Sequence, residues 1–179
     1  MKVLLHICCG VCAGSVAERL LSEGHRVTGY FFNPNIHPAA EYETRLQVAR
    51  TVAESIGFPL YVDEYKPEGW MKATVGLEKE PEGGRRCEVC YRLRLESAFH
   101  YMQEHDFDVF TTSLTVSPHK PALVVNRIGK EIGGDKFLAR DFKKQDGFKR
   151  ANEIAKKLGV YRQHYCGCIY SLGQLMHED

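Results

Sequence analysis

The sequence predicts an α/β fold: a Rossmann-like parallel sheet with helices on both faces, in one domain over 1–179. Three observations predict it. Short apolar or β-branched runs alternate with segments of helical periodicity along the chain. Gly, Pro and Asn stand where such elements must stop. Cys8, Cys9 and Cys12 follow the first strand directly, and open α/β sheets bind their ligands at the carboxyl ends of strands.

Lys2–His6 is a short apolar run and reads as a buried strand. A helix follows over 14–24, with Val16, Ala17, Leu20 and Leu21 at helical spacing and Gly24 as its stop. Residues 26–32 are rich in β-branched and aromatic side chains and form the second strand. The Asn/Pro content of 33–38 marks a loop. The next helix runs over 38–56, burying Leu46, Ala49, Ala53 and Ile56 and ending at Gly57. A third strand spans 59–62. Residues 66–86 hold two prolines and four glycines and form a short helix plus a loop. A helix over 87–105 presents Tyr91, Leu95, Ala98, Phe99 and Met102 on one face. A strand over 108–114 comes next. Ser117-Pro118 then supplies an N-cap and a first-turn proline for a helix to about 132. A last short strand covers 136–139, Asp146 caps a helix ending at Gly159, and a terminal helix starts near Cys168.

At 179 residues, 44% hydrophobic and 26% charged, the chain has the mass for one core. The net charge of +1 does not argue for a polyanion partner. Residues 140–164 do: eight Lys and Arg stand against three Asp and Glu, which leaves the rest of the chain at −4. The same stretch would also suit a solvated helix surface. No apolar run is long enough to span a bilayer, and the first residues lack the pattern of a signal peptide. A cytoplasmic, reducing location is expected, where clustered cysteines point to metal or redox chemistry.

The seven cysteines fall in three groups. Cys8, Cys9 and Cys12 lie in HICCGVC. Cys87 and Cys90 form a C-x-x-C opening a helix, where free amides and the helix dipole favour thiolate. Cys166 and Cys168 form a C-x-C across Gly167. A core use of cysteine would scatter it. Four thiolates converging at one sheet edge would hold a structural zinc or an iron–sulfur cluster. Gly10 permits an unusual backbone where Cys8 and Cys9 must converge. A disulfide across one residue is strained and easily reduced, so Cys166 and Cys168 suit either redox cycling or metal binding.

These residues carry a resemblance. HICCGVCAGS (6–15), FNPNIHPAAEYETR (32–45), RCEVCYRLRLESA (86–98), TTSLTVSPHK (111–120), RDFKK (140–144) and YRQHYCGCIYS (161–171) together resemble the QueH-type epoxyqueuosine reductases. Gly10-Val11 replaces an Ala-Pro frequent in that family, which alters the turn and removes no ligand. The resemblance implies two-electron deoxygenation of epoxyqueuosine to queuosine in a tRNA anticodon loop, the last step of queuosine synthesis. It implies a [4Fe–4S] cluster on Cys8, Cys9, Cys87 and Cys90, a redox-active Cys166–Cys168 pair, and an additional mononuclear iron for which Cys12 with Cys166 or Cys168 is the natural site. The expected partners are a tRNA carrying epoxyqueuosine and an electron donor, with no membrane.

The reaction needs a group to bind the leaving oxygen and one to protonate it. Expected proton donors are His6, His119 and Asp141, at loop or strand-end positions. Lys143, Lys144, Lys149, Arg150 and Arg162, interleaved with Phe142, Phe148, Tyr161 and Tyr165, fit an RNA surface, with Phe148 expected in the core. Asn33, Asn35, Tyr42 and Arg45 are expected to line the nucleoside pocket. Two other readings are a sulfur-inserting tRNA ATPase, for which Gly10–Ser15 is a poor phosphate cradle, and a zinc-stabilised RNA-binding module.

Overall fold

The computed structural model describes residues 1–175, with side chains through Gly173. The order is β1 (Lys2–His6), α1 (Gly10–Ser22), β2 (Arg26–Phe31), α2 (Ala39–Ile56), β3 (Leu60–Val62), α3 (Pro67–Ala73), α4 (Arg85–Glu104), β4 (Val109–Thr112), a 3-10 turn (Ser113–Val116), α5 (Ala122–Gly133), α6 (Gly147–Leu158) and α7 (Ile169–Leu175). The four strands form one parallel sheet in the order β3-β2-β1-β4. Val3, Leu4 and Leu5 are wholly buried, as a central strand covered on both sides requires. Successive strand residues point to opposite faces. Tyr30 stacks on Tyr101 of α4, whereas its neighbour Phe31 meets Tyr42 of α2. Helices α2 and α4 therefore cover opposite faces, as expected.

The chain builds outward from β1 to β3, then returns to set β4 on the other side of β1. That reversal opens a crevice between the carboxyl ends of β1 and β4, the topological switch point where such sheets take ligands. Cys8 leaves β1 into this crevice and Ser113 leaves β4 into it. Among the described residues no helix is long and apolar enough to cross a membrane.

Several expected boundaries move. The first helix begins at Gly10, not at 14, so Cys12 lies in its first turn. Gly10 has no left-handed backbone. A Cβ there would lie 2.7 Å from the Ala49 nitrogen, so glycine lets α1 and α2 touch. Ser117-Pro118 does not open the next helix; α5 starts after Pro121, and Ser117 accepts the Lys120 amide in the turn before it. The strand over 136–139 reduces to one bridge, Phe110 to Phe137. The Leu138 carbonyl is taken by the Thr111 hydroxyl at 2.8 Å, which stops the ladder. Asp146 precedes α6 in a left-handed conformation (φ 60°) and makes no side-chain cap. The expected basic segment over 140–179 ends beyond the described residues.

Candidate metal centre

The crevice is built first from β1 and α1. Cys8 is anchored twice to Ser113: its amide donates to the hydroxyl at 3.0 Å, and that hydroxyl donates to its sulfur at 3.3 Å. The Cys8 thiol donates to Cys9, which pushes Cys8 well above its ordinary range, and burial adds to this. Cys9 donates to Cys12 and is pushed up to about 11, while Gln163 offers it a hydrogen bond from the C-terminal segment.

The second contribution comes from α4. Cys87 and Cys90 sit in its first turn and a half, and the Gly83 amide donates to the Cys87 sulfur at 3.3 Å. Burial raises both thiols. One turn on, Arg94 is buried and donates from Nε to the Cys90 carbonyl at 3.1 Å. Its charge bears on Cys8, Cys90 and Cys166. Among the described residues no carboxylate pairs with it.

The third contribution is the C-terminal segment. Cys166 and Cys168 lie with sulfurs 3.5 Å apart, and Ser171 Oγ is 3.0 Å from Cys166 Sγ. The neighbouring Cys168 sulfur holds Cys166 well below the usual thiol range, whereas Cys168 is pushed up by Cys166 and by burial. Gly167 makes the hairpin possible at φ 113°. Arg45 pins it, donating to the carbonyls of Tyr165 at 3.0 Å and Cys166 at 3.1 Å, with Glu41 closing an ion pair at 2.7 Å.

Cys87, Cys90, Cys166 and Cys168 line one small space together with Trp70, Arg94 and Lys120. It measures about 20 Å³. Among the described residues no three Cys, His, Asp or Glu side chains surround a single ion-sized point. A multi-iron cluster spreads its ligands over separate corners and needs no such point. The donor set fits a soft metal group: seven free thiols, most of them buried, on elements that meet at the crevice. Two further features fit. The Trp70 indole N–H is buried beside Cys90 with no satisfied hydrogen bond, and the Arg94 charge is uncompensated. Both would suit sulfide and thiolate acceptors.

Beside this space opens a cavity of about 330 Å³, at the lower end of ligand-pocket size. Its wall includes Cys12, His119, Phe148, Asn152, Arg162 and Cys166. The Asn152 amide oxygen is buried there without a partner. Arg162 lies 6.0 Å above the Phe148 ring, making a cation–aromatic shelf at the rim.

The expected site residues divide. Cys12, Cys87, Cys90, Cys166 and Cys168, with His119 and Arg162, line these spaces, whereas Cys8 and Cys9 line neither. His6 lines neither space. It is wholly buried, its Nδ1 lies 2.9 Å from the Thr112 hydroxyl, and burial with the nearby Arg94 charge lowers it to about 3. Asp141 borders neither space, and its Oδ1 is taken by the amide and ammonium of Lys143, at 3.2 and 3.4 Å. Of the expected nucleoside-pocket residues, Asn35 reaches the cysteine space. Asn33 is a tie, donating to the Ile7 carbonyl at 2.7 Å. Tyr42 is core, stacked on Tyr65, and Arg45 is the clamp described above. Lys143 donates to the Thr115 and Lys120 carbonyls. Arg150 is spent on Glu18 and Glu153. Phe142 is core, whereas Phe148, expected in the core, is 37% exposed on the cavity rim. Lys144 is exposed. Arg94, Lys120 and Gln163 were not expected at the site, although all three stand inside the stretches that carry the family resemblance.

A Rossmann-like sheet whose switch point gathers buried thiols beside an open polar cavity defines a thiol-rich α/β protein with a candidate metal centre. A family model described as "Epoxyqueuosine reductase QueH" matches residues 3–174. The chain is 39% identical over 175 residues to the epoxyqueuosine reductase QueH of Haemophilus influenzae, covering 96% of this chain and 71% of that one. It is 34% identical to the Thermotoga maritima protein of the same name, covering 95% and 90%. Among solved structures, the U34-tRNA thiolase NcsA from Methanococcus maripaludis with its [4Fe-4S] cluster matches with a TM-score of 0.58 at 17% identity, over 96% of this chain and 61% of that one, and so shares the fold. The chain belongs to the epoxyqueuosine reductase QueH family.

Proposed function

We propose that this chain deoxygenates epoxyqueuosine in tRNA, with the Cys166–Cys168 dithiol as its immediate two-electron reductant. The observation that carries this is the position of Cys166, on the wall shared by the cysteine space and the 330 Å³ cavity. Family membership supports the substrate, and the cavity suits a modified base turned out of an anticodon loop. The balance closes on the chain and solvent. The two sulfurs lose two electrons and the one proton Cys168 carries and form one S–S bond, and solvent supplies the second proton. The epoxide loses two C–O bonds, gains one C=C bond, and its oxygen leaves as water. A cytoplasmic electron donor then restores the dithiol.

Cys8, Cys9, Cys87 and Cys90 would hold a [4Fe–4S] cluster, and Cys12 with Cys166 would meet a further iron. When bound, such iron supplies electrons and Lewis acidity. The chain's own residues do the rest. Arg94 balances the negative charge of thiolates that must lose their protons to bind metal. Ser171 and Cys168 lie against the Cys166 sulfur and favour loss of its proton. Arg45 fixes the hairpin that carries both sulfurs, and Asn152 and the Phe148–Arg162 shelf receive the base.

Protein prepared without oxygen should contain about four to five irons and about four sulfides, with a broad band near ~400 nm. It should convert epoxyqueuosine tRNA in a single turnover, and Cys166→Ser should abolish turnover while leaving most of the iron in place. Zinc alone, with no sulfide after anaerobic reconstitution, would overturn the reductase reading in favour of a zinc-stabilised RNA-binding module.

A further inference from the structure

Three residues line both the cysteine space and the larger cavity: Glu82, Lys120 and Cys166. Glu82 is exposed, on the turn before α4, and Cys166 already has its role. Lys120 is the cation at this junction. Arg94 lines only the cysteine space, and His119 and Arg162 line only the larger cavity. The backbone of Lys120 is held from both sides: its amide donates to the Ser117 carbonyl at 3.3 Å and its carbonyl accepts from Lys143 Nζ at 3.1 Å. Its side chain is partly buried, and among the described residues no carboxylate pairs with it. Its charge bears on Cys8, Cys90 and Cys166.

A partly buried cation that makes no ion pair among the described residues can meet negative charge that comes and goes with the ligand. In this reaction that charge develops on one atom. As the first C–O bond breaks, the epoxide oxygen becomes an alkoxide, and a donor aimed at that position stabilises the transition state more than the bound substrate. Resting on the reductase reading above, we propose that Lys120 is a catalytic residue that holds the epoxide oxygen by a charge-assisted hydrogen bond from its ammonium. The oxygen takes two protons, one from the Cys166–Cys168 pair and one from solvent, and departs as water, and the π bond forms as the pair gives up two electrons and closes to a disulfide. Lys120 ends the step as the ammonium it began.

The product lacks the oxygen that Lys120 grips, so the contact shows in binding as well as in rate. Affinities of iron-free and iron-loaded protein are measured for epoxyqueuosine tRNA and for queuosine tRNA, alongside anaerobic single turnovers and iron and sulfide content. Wild type should prefer the epoxide tRNA by ~10-fold. Lys120→Met should erase that preference, leave affinity for queuosine tRNA and metal content unchanged, and slow deoxygenation by ~100-fold or more. Lys120→Arg keeps the charge and should keep most of the preference, and it serves if the methionine variant does not fold. An undiminished preference or rate in Lys120→Met overturns the assignment. So does loss of iron from that variant, which would make Lys120 part of the metal centre. Wild-type protein that prefers the epoxide tRNA through Lys120 yet never deoxygenates it would keep the contact and sink the reductase reading. Wild-type protein with neither preference nor turnover would sink both.

Discussion

Arg94 is a guanidinium taken out of water without a carboxylate, beside thiols that burial keeps protonated. In the metal-free chain it is a cost, met among the described residues by hydrogen bonds to the Cys90 carbonyl and, at 3.5 Å, to Asn33 Oδ1, and by the Tyr91 ring 5.8 Å away. When thiolates form around metal it becomes their counter-charge. Arg94→Met should therefore leave the metal-free protein within ~1 kcal/mol of wild type, or above it, a change of a few degrees in Tm. The same variant should retain several-fold less iron after anaerobic reconstitution. A large Tm loss in the metal-free state, with iron uptake intact, would make Arg94 a packing residue instead. Such roles are hidden in sequence. Arg94 and Lys120 look like ordinary surface cations until the fold buries one and sets the other between two spaces. The cysteines were legible because their grouping is itself the signal. Tyr42 and Arg45 were placed in the wrong surroundings, since nearness to a strand end does not say which way a helix turns its side chains. His6 was misread for a related reason: its place at a strand end hides that it faces the interior.

At the scale of elements, the strands were legible because central parallel strands must be apolar on both faces, as Val3, Leu4 and Leu5 are. The start of α1 was not. Gly10-Val11-Cys12-Ala13 has no helical signature of its own, and the helix begins there because Gly10 lets α1 press against the backbone of α2. A Cβ at Gly10 would lie 2.7–2.8 Å from backbone atoms of Val48 and Ala49, which no side-chain rotation can relieve. Gly10→Ala should cost about 1–3 kcal/mol, read as a Tm loss of several degrees. It should also loosen Cys9 and Cys12, which flank it, and lower iron content. Gly69→Ala in α3 is the control, because a Cβ there meets nothing within 4 Å. Alanine at that position should be neutral or slightly stabilising. Equal Tm values for the two variants would mean that α1 and α2 separate freely and that Gly10 has no packing role.

For the whole molecule, the basic stretch over 140–164 was read from charge alone, and the fold sorts it. Arg140 is held by Glu23, Arg150 by Glu18 and Glu153, and Lys143 by two carbonyls. Lys144, Lys149, Lys156, Lys157 and Arg162 remain exposed, with no ion pair among the described residues. Arg162 and Phe148 edge the larger cavity, and Lys149 follows Phe148 in the chain. A loop that delivers its base to this cavity must bring its phosphates past the same rim. Phosphate contacts release counterions, so each one adds about 0.7 to the salt slope of binding to a single-stranded segment. Lys149→Ala and Arg162→Ala should each weaken tRNA binding and lower that slope by about 0.7, whether or not the tRNA carries epoxyqueuosine. Arg150→Ala removes the same formal charge from the same helix, yet its guanidinium is already committed to carboxylates, so the slope should stay as in wild type. Filter binding across a salt series distinguishes these cases. If all three variants lower the slope alike, net charge governs the encounter and the rim has no special place in it. If only Lys149 and Arg162 count, the phosphates pass where the cavity opens.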